Sequence, residues 1–178
     1  MIVFDTTYLV VMLQEKFPPV KDRDNKIVPE ARERINYLVK QLSANNSIIL
    51  IPTPVLAEIM VRAGNAGPEY LEKLSNSSKF RMMSFDVRAA IEAAELIRKI
   101  KQEQRGQSIE TWAKVNFDIQ IVSIAKAEEA SVIYSDDPGV ENHGKRVGIT
   151  VRRICDLQLP PEPENQTQSL FRDLEERE

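Results

Sequence analysis

The sequence predicts an α/β fold, a three-layer α/β/α sandwich around a central, mostly parallel sheet of four to five strands. Three features carry that reading. Short apolar runs such as Ile48 to Ile51 are continuous rather than alternating, the pattern of strands covered on both faces. Helical stretches with one apolar stripe separate these runs, in the strand, helix, strand, helix alternation of a parallel sheet. Thr53 and Pro54 follow the second run at once as N-cap and first helical position, so a helix starts directly beyond the strand.

In chain order, Met1 to Phe4 reads as a buried strand ending at Asp5. Thr6 and Thr7 can cap a first helix, on which Tyr8, Val11, Met12 and Glu15 fit helical spacing. Phe17 to Pro29 is polar and proline-containing, a surface excursion. From Pro29 a second helix buries Ala31, Ile35, Leu38, Val39 and Leu42 and stops at Asn45 and Asn46. After the strand at Ile48 to Ile51, the helix over 55–62 ends at Gly64 and Gly67, and Glu69 to Leu74 suggests a further short helix. Phe80 to Phe85 is a third strand, and Asp86 caps a long helix whose buried side is expected at Val87, Ala90, Ile91, Ala94 and Ile97. A helix over about 109–129 carries Trp112, Val115, Ile119 and Val122. Ser131 to Tyr134 is a fourth strand, Asp136 to Gly139 a turn, and Val147 to Val151 a last edge strand. The single histidine, His143, falls in a Pro/Gly/Asn-rich loop and is expected to be solvated.

The 178 residues suffice for one domain, read as 1–157, followed by an acidic and flexible tail over 158–178. Several chemistries are excluded by scarcity. One cysteine, Cys155, supports neither an intrachain disulfide nor a zinc ribbon, and one histidine cannot serve a two-His metal site. A reduced, cytoplasmic setting is expected. No apolar stretch approaches the roughly 18 residues of a membrane span, and Met1 to Leu13 lacks a basic segment ahead of its apolar stretch. Neither GxxxxGK[ST] nor GxGxxG occurs.

Ligand sites in parallel sheets lie beyond the carboxyl ends of the strands. Four acidic residues sit there or on helices entering from there: Asp5, Glu58, Asp118 and Asp137. Each has an ordinary structural role open to it, a helix cap for Asp5, i,i+4 pairs with Arg62 for Glu58 and with Lys114 for Asp118, and a turn for Asp137. Three of them nevertheless lie in segments that otherwise look buried: IVFD, VLAEIM and NFDIQIVSIA. Buried carboxylates are costly unless paired or bound to a cation. No Lys or Arg recurs at more than one of these positions, whereas one cluster of hard divalent cations, Mg²⁺ or Mn²⁺, would satisfy them all with oxygen ligands.

FDTTYLV, PTPVLAEIM and FDIQIVSIAKAEEASVIYSDDPG, in that order, resemble the three motif regions of the PIN-domain family over roughly residues 1–151. That resemblance implies Mg²⁺- or Mn²⁺-dependent cleavage of single-stranded RNA. It also implies the setting of VapC-like toxins of toxin–antitoxin pairs, with an antitoxin partner and a homodimer. Carried over, it makes Asp5, Glu58, Asp118 and Asp137 the catalytic, metal-holding acids, with Asp136 the one-residue alternative to Asp137 and Thr6 and Ser135 as supporting hydroxyls. Two further readings of the same residues stay open: an RNA-processing nuclease without a toxin role, and a silent PIN-fold module that binds RNA or protein. A haloacid dehalogenase-type phosphatase would need a second acid where Thr7 stands.

RNA contact is expected at RKIKQEQR, where Arg98, Lys99, Lys101 and Arg105 outnumber one acid, with Arg146, Arg152 and Arg153 as a second group. The alternative for both is a solvated face. Tyr8 and Trp112 could stack on bases but fit core spacing better. The net charge of −3 argues against charge-driven nucleic-acid binding only until it is divided. From Pro160 onward the chain carries −4, the rest +1, and +5 once the four proposed ligands are set aside.

Overall fold

The computed structural model describes residues 1–103 and 112–161, the side chains of 112–116 excepted. The expected contact at Arg105, the side chain of Trp112 and the acidic segment from 162 onward lie outside the described residues. Strands β1 (Ile2–Phe4), β2 (Ile49–Pro52), β3 (Phe80–Met83), β4 (Val132–Tyr134) and β5 (Thr150–Arg152) form one sheet in the order β3-β2-β1-β4-β5. Every pairing is parallel, with Val3 opposite Leu50 on one side and Ile133 on the other. The helices are α1 (Thr6–Leu13), α2 (Ala31–Ala44), α3 (Thr53–Ala63), α4 (Gly67–Ser75), α5 (Val87–Glu103), α6 (Trp112–Ala127) and α7 (Pro138–Val147). They fall into two groups, α1 packing on α2 and α3, and α5 and α7 both packing on α6. None of the described helices is long and apolar enough to cross a membrane.

Strands β1 and β2 bury every residue, as their continuous apolar runs require, and β4 buries all but Val132: Val3, Phe4, Leu50, Ile51 and Ile133 are fully enclosed. Phe4, Tyr8 and Tyr134 pack ring to ring at 5.3–5.6 Å between centroids. Tyr8 is therefore a core residue, and its hydroxyl donates to the Arg152 carbonyl at 3.1 Å. The 16–29 excursion is tied down at both ends. Lys21 and Ile27 form an antiparallel bridge, Arg32 covers the Phe17 ring at 4.9 Å, and Arg23 reaches Asp156 at 3.2 Å.

Three expectations are corrected. The segment after Asp137 is a helix rather than a turn and loop: Pro138 stands in its first turn and Gly148, at φ 75°, ends it in the left-handed region. Two glycines, Gly139 and Gly144, and an Asn–His pair depress its local propensity, and packing against α6 and β5 overrides that. His143 accordingly faces inward at 8% exposure, where burial lowers its pKa, instead of lying in solvent. On α5 the buried stripe is Ala89, Ala93, Leu96 and Ile100, while Val87 and Ile91 are 77% and 58% exposed. VRAAIEAAELIRKI supports two apolar stripes, and contact with α6 selects the one that periodicity did not favour.

That rotation predicts an asymmetry between two residues of equal hydrophobicity. Leu96→Ala should cost about 2–5 kcal/mol and Ile91→Ala no more than about 0.5 kcal/mol, by urea unfolding. Equal costs would refute the observed stripe.

Candidate metal centre

Asp5 is the first residue beyond central strand β1, and its carboxylate works in two directions. One oxygen caps α1, accepting the Thr6 N–H at 2.7 Å, and the other accepts the Ser135 hydroxyl at 2.5 Å from the end of β4. The side chain is buried, which raises its pKa from the ordinary 3.8 to about 6. The two hydrogen bonds oppose that rise, while the nearby charges of Asp137 and Glu58 add to it.

Ser135 acts as a relay. As it donates to Asp5, its oxygen accepts the Asp137 N–H at 3.0 Å and so sets the turn into α7. Asp137 in turn caps α7, accepting the Gly139 N–H at 2.6 Å. Glu58 lies on α3, whose start is pinned by Pro54 directly after β2. Its Oε2 accepts the Thr6 hydroxyl at 2.8 Å, and its Oε1 is gripped by Arg62 through Nε at 3.1 Å and Nη2 at 2.8 Å. Asp118 enters from α6 with 9% exposure. Gly139 permits its approach, since a Cβ there would fall 2.1 Å from Asp118 Oδ2 and 3.0 Å from Asp137 Oδ1.

Glu58, Asp118 and Asp137 line one cavity of about 400 Å³ together with Ala57, Val61 and Phe117. Asp136 turns the other way: its Oδ1 accepts the Ile154 N–H at 3.3 Å, and it lines a separate pocket with Pro18, Pro19 and Lys21. Its Oδ2 is buried without a hydrogen-bond partner among the described residues, and burial raises its pKa to about 6. Asp137 thus shares a cavity with Glu58 and Asp118, and Asp136 does not.

Two of the acids cap helices, one is salt-bridged, and all four lie toward the same end of the sheet. Oxygen-only donors, two supporting hydroxyls and a carboxyl that resists ionisation among like charges suit a hard divalent cation. The side chains are not drawn into a finished cage, for among the described residues no group of three Asp, Glu, His or Cys could hold an ion as it stands.

Of the basic residues, Arg98, Lys99 and Lys101 are exposed on α5, with Arg98 3.4 Å from Glu95. Arg146 is engaged by Glu103 at 2.7 Å. Arg153 is buried against Glu141 at 2.7 Å, so it serves the fold and not a phosphate-binding face. Phe117 and Val61 were not singled out by the sequence, because each lies beside a residue read as an acid or a base. The signal available was the i,i+3 spacing of Val61 from Glu58, which puts the two on one face of α3, and the position of Phe117 next to Asp118 in the chain.

Between about pH 4 and 6 the folded chain keeps a proton on Asp5 that the unfolded chain has released, so this residue lowers metal-free stability as pH rises through that window. Asp5→Asn cannot ionise. In chelator, its stability should match the parent at pH 4 and exceed it by about 2–3 kcal/mol at pH 7, by urea unfolding. Parity at pH 7 would contradict the buried, ionisation-resistant carboxyl.

No protein-family model and no curated protein matches the sequence. Solved structures do match. VapBC2 from Rickettsia felis, bound to a DNA fragment from its promoter, aligns with a TM-score of 0.58 at 20% identity, over 86% of this chain and 98% of that one. DNA-bound VapBC from Salmonella typhimurium aligns at 0.52 and 17% identity, with the same coverage of both chains. VapC20 from Mycobacterium tuberculosis, a sarcin-ricin loop cleaving toxin, aligns more loosely, at 0.48 and 12% identity over 82% of this chain and 95% of that one. The chain has the PIN-like α/β fold of the two VapBC structures, with a five-stranded, all-parallel sheet at its centre.

Proposed function

We propose that this protein is a metal-dependent endoribonuclease that hydrolyses single-stranded RNA and serves as the VapC-like toxin of a toxin–antitoxin pair. The observation that carries the reading is the meeting of Asp5, Glu58, Asp118 and Asp137 beyond the carboxyl ends of β1, β2 and β4, with Thr6 and Ser135 bonded to two of them. The VapBC complexes that share the fold support an antitoxin as partner.

In this mechanism the four carboxylates would hold Mg²⁺ or Mn²⁺, directly or through water. When bound, such a cation supplies Lewis-acid chemistry, easing deprotonation of water and offsetting charge on the phosphate. Asp5 is held by Ser135 and by the α1 backbone, so its carboxylate would need no rotamer search to serve the site. Thr6 donates to Glu58, and Glu58 would release Arg62 to serve as a ligand. Glu58 or Asp118 orients the attacking water. The exposed cations of α5 contact RNA phosphates on the flank. One observation favours the silent module instead, namely the grip of Arg62 on Glu58 without a finished cage around it.

Three measurements decide. Calorimetric titration with Mn²⁺ should show binding to the parent that weakens in Asp118→Asn, and a chain that takes up no divalent cation would be the silent module. RNA cleavage by Asp5→Asn should fall on the order of a thousandfold, the rate equivalent of several kcal/mol of lost charge stabilisation. Expression of the parent in cells should arrest growth and create discrete new RNA 5′ ends. Activity on precursor RNA without toxicity would make it a processing nuclease.

A further inference from the structure

The cavity that holds three of the acids is only half acidic. Each of its two helical walls brings one carboxylate and an adjoining apolar group: Glu58 with Ala57 and Val61 on α3, Asp118 with Phe117 on α6. Phe117 is 49% exposed and Val61 83%, so neither is part of the core, and the ring stands open beside the carboxylates. A ligand that satisfies both halves needs an anionic group for cations held by the acids and a flat apolar group within one residue's reach of it. A nucleotide has both, with its phosphodiester on one side and its base on the other. In a duplex the base faces are covered by their neighbours, so only an unstacked base can lie on the ring. The cavity's size, about 400 Å³, falls within the range of small-ligand sites.

We infer that Phe117, backed by Val61, is a stacking shelf for one unpaired nucleobase next to the scissile phosphate, so that this chain selects its RNA by the accessibility of a base face rather than by base identity. The inference rests on the nuclease reading for the position of the phosphate. Stacking is tolerant of sequence because every base presents a π-face, and no hydrogen-bonding side chain other than the three acids lines the cavity among the described residues.

The test measures binding, so that it stands apart from catalysis. Fluorescence anisotropy in Mn²⁺, on an Asp5→Asn background, compares an oligouridylate with a ribose-phosphate oligomer of the same length that lacks bases. With Phe117 in place the oligouridylate should bind about tenfold more tightly, and Phe117→Ala should abolish that preference without weakening binding of the baseless oligomer. Phe117→Trp should keep the preference and add a fluorescence signal quenched by oligouridylate alone. Unchanged thermal unfolding of Phe117→Ala, expected for a half-exposed residue, separates the effect from misfolding. A base preference that survives in Phe117→Ala overturns the inference. So does a change in sedimentation mass with Phe117→Ala, which would make the ring part of a protein interface. Should Asp5-intact protein fail to cleave RNA while the base preference depends on Phe117, the nuclease reading falls and the shelf stands.

Discussion

Much of this molecule is organised around a single buried carboxylate. Asp5 stands at the end of the central strand, where burial makes a charge costly, and its two oxygens order the elements on either side. One starts α1, and the other, through Ser135, sets the turn that starts α7. Removing solvent from Asp5 also makes it reluctant to ionise beside Glu58 and Asp137. A cation would relieve that reluctance, so the same burial links the fold to the proposed chemistry.

The surroundings hold those side chains in place. Arg153 and Glu141 form a nearly buried pair that ties α7 to the end of β5, and Arg23 extends the network to the 16–29 excursion through Asp156 and Glu141. Such pairs add little net stability, but they restrict where the N-terminus of α7 can lie, and hence where Asp137 points. Gly139 completes the constraint from inside, as any side chain there would meet Asp118 and Asp137. The apolar half of the cavity is different in kind. Phe117 and Val61 are left exposed although the domain has a well-filled core against which they could have packed.

Legibility in the sequence followed the strength of the local signal. The strands at 1–4 and 48–51 were plain because fully buried strands admit no polar residue, and α2 was plain because its stripe has no competitor. On α5 two stripes competed, and local periodicity favoured the one that packing against α6 did not select. Around His143, glycines hid a helix that exists because β5 and α6 flank it. The four acids were visible one at a time, through their apolar neighbours. Whether Asp136 or Asp137 entered the site was not visible, because adjacent residues at a strand end differ only in which way the backbone turns them.

By itself, the sequence determined the class of fold, the positions of its strands and the chemistry open to it: an oxygen-donor set with one histidine and one cysteine in the whole chain. The burial of Asp5 was legible too, since IVFD leaves a strand no exposed face on which to place it. Tertiary structure alone decided the order β3-β2-β1-β4-β5, which puts β1 between β2 and β4 and so brings Asp5, Glu58 and Asp137, distant along the chain, to one end of the sheet. Strand order arises from crossovers and long-range packing, which leave no local mark in the residues that obey them. The joining of an acidic wall to the open ring of Phe117 was decided in the same way, by the meeting of α3 and α6 across that end of the sheet.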